Sequence, residues 1–229
     1  IQYWTSRGFA YLDVNYRGSM GYGTSYRKAL EGKWGVYDVD DCVSGAQHLV
    51  DAGLVDPRRI AIRGGSAGGF TVLSAITRST VFTAASSCFG VTDLKRLVRT
   101  THKFESHYIG QLMGTHDIDD PVLDERSPIN HIEDIGVPLL LIQGSEDPIV
   151  PAEQATAMYE ALKAAGAPVA LEVFQGEGHG FRLAANIRRR YEAELSFYRQ
   201  VWNIGGSCSE AERRGEEDTF MVKVENLRR

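Results

Sequence analysis

One serine in this sequence sits where a serine can serve as a nucleophile. Ser66 lies in "GGSAGG", between the apolar run "RIAI" and the helix-like run "FTVLSAIT". Glycine weakens strands and helices alike, so four of them at one handover (Gly64, Gly65, Gly68, Gly69) mark a turn too tight for side chains, with the serine at its tip. A hydroxyl becomes an effective nucleophile when a base takes its proton and a carboxylate orients that base. Two later segments offer these groups. "LLLIQGSEDPIVP" delivers Asp147, and "LEVFQGEGHGF" delivers His179 between two glycines. Together Ser66, Asp147 and His179 read as a triad for acyl transfer, with the N–H of Ala67, at the head of the following helix, as an oxyanion donor.

The competing groups fit less well. No Lys-Ser or Lys-Thr follows the glycines, as a phosphate loop requires, and "GSMGYG" departs from the dinucleotide-binding spacing. His48 lies within a helical pattern. His102, His107, His116 and His131 all precede the segment that carries the acid, and read as surface or packing residues. Glu146 adjoins Asp147, but Asp147 precedes Pro148 in a turn that suits a short acid; Glu177 stays open as a further orienting group. "HDIDD" (116–120) has no second cluster to complete a metal site and reads as a solvated loop.

These residues need a scaffold, and the hydrophobic patterning supplies one. Strands are expected over Gly8 to Arg17, at "RIAIRG", "FTAASSCFG", "VPLLLIQG" and "PVALEVFQG". Helices are expected over "CVSGAQHLVDAG", "AGGFTVLSAITR", "PAEQATAMYEALKAAG" and "AANIRRRYEAELSFYRQVWN". Strands alternating with helices give an α/β fold whose mostly parallel sheet is covered by helices on both faces. In that setting G-x-S-x-G between a strand and a helix is the nucleophile elbow of α/β-hydrolases, and the partners follow in the order acid, then histidine. All three candidates then fall at the carboxyl ends of parallel strands.

Composition narrows the class further. At 229 residues, with 43% hydrophobic and 24% charged residues, the chain has enough apolar content for one large domain. A net charge of −5 leaves no basic footprint for nucleic acid or for a membrane surface. No signal peptide or membrane-length apolar run is present. The three cysteines (Cys42, Cys88, Cys208) are an odd, widely spaced set, read as free thiols in a reducing, cytoplasmic setting. Residues 1–204 are assigned to the catalytic domain. Residues 205–229 turn charged and glycine-rich and read as a flexible tail, whose "TFMVKVENL" carries a weak strand signal.

Five segments in succession, "NYRGSMGYG", "GGSAGGF", "THKFESHYIG", "LLIQGSEDPIVP" and "GEGHGF", resemble the catalytic domain of the prolyl oligopeptidase family of serine peptidases. The acylaminoacyl peptidase and dipeptidyl aminopeptidase branch is the nearest in pattern, over Ile1 to about Asn203. The resemblance implies the same triad, peptidase chemistry on short peptides, and no metal or organic cofactor. It places the region around Phe104, Tyr108, Ile109 and Leu112 close to the bound side chain; packing of that helix on the sheet explains the same stripe equally well. It implies a β-propeller upstream in the full-length protein. It also implies that the first strands lie upstream of Ile1, with a His-Gly-Gly-Pro-like loop carrying the second oxyanion donor, so the hydrolase fold is expected to be N-terminally incomplete here. A carboxylesterase of the same fold and a non-catalytic hydrolase-fold binding module are the alternatives, and a homo-oligomer stays open.

Overall fold

The computed structural model describes residues 1–100, 103–204 and 222–227, without the side chains of 103–106. A short helix α1 (Gln2–Thr5) and another, α2 (Thr24–Lys28), precede the long helix α3 (Tyr37–Asp51). Strand β1 (Ala61–Gly65) then leads into α4 (Ala67–Arg78), and β2 (Ala84–Cys88) follows. Three helices, α5 (Leu94–Thr100), α6 (Lys103–Met113) and α7 (Pro121–Glu125), and a 3₁₀ segment (Pro128–Asp134) lead to β3 (Leu139–Gly144). The chain continues through α8 (Ala152–Ala164), β4 (Val169–Phe174) and α9 (Ala184–Trp202). The four strands form one parallel sheet in the order β1-β2-β3-β4, so every neighbouring pair is joined by a crossover.

The two-residue period of the strands sorts the core into two layers. In β3, Leu139 and Leu141 face a layer built on α3, α4 and α8, with Val72, Leu73, Ile76, Met158 and Leu162. Leu140 and Ile142 face the opposite layer, built on α9 and α1, with Trp4, Phe197 and Tyr198. A third cluster joins Leu30, Trp34 and Phe70 to Leu94, Leu97, Ile109, Leu112, Met113 and Leu123. The continuous apolar run of β3 is therefore that of a strand buried on both sides.

Two expectations change. Gly8 to Arg17 forms no strand. Phe9 and Tyr11 do pack toward the α9 layer, while Leu12 and Val14 lie over Gly45 of α3, as alternating side chains of a strand would. A strand also requires a ladder partner, however, and among the described residues the side of β1 away from β2 offers none. The end of the tail, by contrast, returns to the domain. Val169 and Glu225 exchange both backbone hydrogen bonds (3.2 and 2.8 Å), Val222 is buried, and the Asn226 side-chain amide donates to the carbonyls of Lys163 and Ala167. Residues 205–221, with Cys208, lie outside the described residues. Cys42 and Cys88 are unpaired, and burial pushes the pKa of each thiol up to about 12, which favours the protonated form. No helix among the described residues is long and apolar enough to cross a membrane.

The acids at the start of α3 tie it to its neighbours. Asp38 is fully buried and accepts from the backbone N–H of Gly35 and the hydroxyl of Thr71, which ties α3 to α4. Asp41 instead takes a forked pair of hydrogen bonds from Arg17. Burial lifts the Asp38 carboxyl above the ordinary carboxylate range, even though Thr71 and Gly35 pull the other way. A carboxyl raised in the folded state costs stability once ionised, so the cost sets in as pH climbs above the unfolded carboxylate range, about 3.9, and is complete above the folded value. Asp38→Asn keeps the shape and both partners without ionising. Relative to the wild type, its urea midpoint should rise progressively between pH 4 and pH 7; a constant or falling difference would refute the linkage.

Candidate active site

The turn at Ser66 is as tight as its glycines predict. Ser66 has φ 55° and ψ −121°, a left-handed backbone that a residue with a Cβ adopts only under constraint. The constraint comes from both sides. The Ser66 N–H donates to the Cys88 carbonyl at the end of β2 (2.9 Å), and the Ser66 carbonyl accepts from the N–H of Phe70 in α4 (3.1 Å). A Cβ at Gly64 would fall 2.6 Å from the carbonyl carbon of Gly68, and one at Gly69 would fall 2.6 Å from the Cα of Gly90. Gly64 thus lets α4 fold back over β1, and Gly69 lets α4 cross the chain leaving β2.

The histidine and the acid meet this serine. Ser66 Oγ lies 2.7 Å from Nε2 of His179, and Nδ1 of His179 lies 2.8 Å from Oδ2 of Asp147. A carboxylate can only accept at Nδ1, so the neutral ring carries its proton there and presents Nε2 as the acceptor for the serine hydroxyl. The Asp147 side chain has no solvent exposure, while that of His179 keeps 20%. Oδ1 of Asp147 accepts from the backbone N–H groups of Ile149 and Val150, both at 2.9 Å. Oδ2 accepts from the Gln143 side-chain amide at 3.1 Å. The Phe89 ring packs on the imidazole at 4.9 Å between centroids, backed by Phe181. Glu146, the alternative acid, is exposed on the turn.

Glu177 makes its bonds within the loop that carries His179. Its buried carboxylate accepts from the N–H groups of Arg182 and Leu183 and from the Asn186 side chain (2.9, 3.1 and 2.9 Å). These bonds, with the Arg182 N–H foremost, hold it below the usual carboxylate range. They close the loop that presents His179 and fix it to the start of α9. The same loop rests on the turn after β3, because Glu146 N–H donates to the Glu177 carbonyl and a Cβ at Gly144 would fall 2.7 Å from the Gly178 carbonyl oxygen.

Comparison with known proteins decides the family. Residues 1–205 match the Prolyl oligopeptidase family. The chain belongs to the prolyl oligopeptidase family. It is 34% identical to dipeptidyl aminopeptidase BIII of Pseudoxanthomonas mexicana over 81% of its length, and 33% identical to the acylamino-acid-releasing enzyme of Arabidopsis thaliana over 78%. These alignments cover 28% and 24% of the two relatives, so the chain spans about a quarter of their length. Among solved structures, a puromycin-hydrolyzing peptidase of Mycobacterium tuberculosis superposes with a TM-score of 0.86 at 48% identity, covering 89% of this chain and 31% of that one. The acylaminoacyl peptidase of Pyrococcus horikoshii gives 0.75 at 25% identity, covering 87% and 33%. The parallel sheet with helices on both faces is thus an α/β-hydrolase fold.

The residues expected near the bound side chain differ in exposure. Ile109 and Leu112 are buried in the third core cluster against Leu30, Trp34 and Met113, whereas Tyr108 is 58% exposed. Ile109 and Leu112 therefore pack α6 against its neighbours, while Tyr108 faces outward. The Phe104 side chain lies outside the described residues. His48, His107, His116 and His131 make no hydrogen bond to Ser66; His107 and His116 stack edge to face, and His131 bonds to the Glu125 carbonyl and to Asp134. In "HDIDD", Asp117 bonds the N–H of Asp119 and Asp120 caps α7. No group of three or more His, Cys, Asp or Glu among the described residues is arranged to hold a metal ion. Sequence reasoning missed Gln143 and Phe89. A glutamine closing a fully apolar strand was the signal for Gln143; nothing in the sequence marked Phe89.

The glycines of the turn are not equivalent. A Cβ at Gly68 meets nothing within 4 Å, so Gly68→Ala should fold and melt like the wild type. Gly64→Ala drives a methyl into backbone that cannot yield without moving Ser66, and overpacking of this kind costs about 1–3 kcal/mol. Thermal melts of the two variants should separate them, with loss of activity following Gly64→Ala. Equal melting temperatures would show that the close approach of α4 does not constrain the turn.

Proposed function

We propose that this chain is the catalytic domain of a serine peptidase that cleaves short peptides near an amino- or acyl-blocked terminus. The hydrogen-bonded line from Ser66 through His179 to Asp147, at 2.7 and 2.8 Å, carries the reading. The names of its relatives support the substrate class: a dipeptidyl aminopeptidase, acylamino-acid-releasing enzymes and a puromycin-hydrolyzing peptidase.

In this reading His179 Nε2 takes the hydroxyl proton as Ser66 Oγ attacks the scissile carbonyl. The carbonyl oxygen becomes an oxyanion, and the N–H of Ala67, the first residue of α4, is one donor to it. Asp147 keeps the imidazole in its Nδ1–H tautomer and stabilises the imidazolium. His179 then returns the proton to the departing amine, leaving an ester between Ser66 and the acyl group. Water repeats the sequence: His179 takes its proton, hydroxide adds to the ester, and Ser66 leaves reprotonated. Burial of Asp147 under four donors gives the imidazolium a counter-ion that neither turns away nor is screened.

Two measurements test this in the intact protein. A fluorophosphonate probe should label Ser66 alone, and Ser66→Ala should abolish labelling with folding unchanged; an adduct on Ser74 or Ser145 would overturn the assignment. Asp147→Asn should lower kcat by about four orders of magnitude with a much smaller change in KM, because the tautomer and not the binding surface is lost. Retention of most of the wild-type kcat would remove Asp147 from the mechanism.

A further inference from the structure

Gln143 is the one polar side chain in β3, whose other residues are Leu139, Leu140, Leu141, Ile142 and Gly144. It is completely buried, four residues before Asp147. Its amide nitrogen faces three oxygens: Oδ2 of Asp147 at 3.1 Å, the Val150 carbonyl at 3.0 Å and the Gly144 carbonyl at 3.4 Å. These acceptors settle the orientation of the amide, since the flipped form would turn its oxygen onto a carboxylate and two carbonyls. The price is visible at the other end of the group, where Oε1 is buried without a hydrogen-bond partner. A leucine or methionine would fill the same volume without that penalty, so packing alone does not account for a glutamine here.

We infer that Gln143 is a positioning residue for the peptidase reaction: it pins Oδ2, the Asp147 oxygen that holds His179. The backbone N–H groups of Ile149 and Val150 fix only Oδ1. Without a second donor, Oδ2 is held by the imidazole alone, and the imidazole is the group that must exchange a proton in each half-reaction. By also bonding the Val150 carbonyl, Gln143 locks the turn from Asp147 to Val150 onto the strand. The donor has an electrostatic effect as well. It withdraws charge from the carboxylate, so its removal makes Asp147 a stronger partner for the imidazolium and holds the proton on His179 to higher pH.

The inference rests on the peptidase reading, and the experiment separates the two. In the intact protein, wild type, Gln143→Met and Gln143→Glu are first titrated with the fluorophosphonate probe, then assayed with a peptide p-nitroanilide across pH. Absence of labelling at Ser66 in the wild type would sink the peptidase reading itself, and this inference with it. With labelling established, Gln143→Met should lower kcat about 10- to 100-fold, leave KM nearly unchanged, and shift the rising limb of the pH–rate profile to higher pH. Gln143→Glu keeps the volume and can donate only while protonated. Two carboxyls so close share one proton, so its activity should fall at alkaline pH where the wild type stays level. If Gln143→Met fails to fold, the alkaline limb of Gln143→Glu decides alone. A wild-type kcat and pH profile in every folded variant would overturn the assignment.

Discussion

The site depends on forcing a residue with a side chain into a left-handed turn between β1 and α4. A helix that starts one residue after a parallel strand must fold back across that strand, and Ser66 absorbs the change at φ 55°. Strain of this kind, of order 1–3 kcal/mol, persists only where surrounding bonds leave no alternative. Here the Ser66 N–H is held by the Cys88 carbonyl, its own carbonyl by α4, and the helix is brought into contact at Gly64 and Gly69. Phe70, fully buried against Trp34 at 4.3 Å, anchors the first turn of α4 in the third core cluster. The hydroxyl therefore projects beyond the sheet as a result of packing on either side of it.

Parallel pairing supplies the second requirement. Because β1, β3 and β4 run the same way, the segments leaving them emerge at the same, carboxyl end of the sheet, and Ser66, Asp147 and His179 meet although they are far apart in the chain. Register alone leaves errors larger than a hydrogen bond tolerates, and polar side chains correct them. Glu177 closes the His179 loop and Gln143 holds the Asp147 turn. Arg63 in β1 forms a forked pair with Glu194 of α9 at 3.0 and 2.8 Å. Burial disfavours the Arg63 charge, but Glu194 more than offsets this and raises its proton affinity. Removing one partner of such a pair leaves a buried charge uncompensated, at about 3–5 kcal/mol, so this bridge fixes the strand that leads to Ser66 to the helix that follows His179.

How much of this was legible in the sequence varied with the range of the interaction. The strand–serine–helix turn, the acid after "LLLIQG" and the histidine between glycines are local patterns, each tied to one element boundary, and the structure brings all three together. The four core strands were equally readable from their apolar runs. The strand expected over Gly8 to Arg17 was not, because pairing is a property of two segments and the sequence of one states only its willingness. The stripe on α6 shows a related limit. Apolar spacing shows that a face is buried without saying whether protein or ligand buries it, and Leu30 and Trp34, more than seventy residues away, supply the cover. Phe89 meets His179 from a distant part of the chain, which periodicity does not encode, whereas Gln143 and Glu177 act on the turns that directly follow their own strands.

The polar groups around the triad divide the work according to what must move. Asp147 is fully enclosed and held by Ile149, Val150 and Gln143, none of which changes protonation state. His179 keeps a partly exposed side chain and is restrained by hydrogen bonds to Asp147 and Ser66 and by the Phe89 ring. In the proposed reaction the imidazole passes a proton from Ser66 to a leaving group, and the enclosed Asp147 is the fixed partner about which it would turn. Rigid support beneath the acid and lighter support at the base follow from burial decreasing from Asp147 to His179. The unpartnered Gln143 oxygen belongs to the same logic: a cost accepted deep in the sheet, where the support must not yield, so that the freedom lies at the surface.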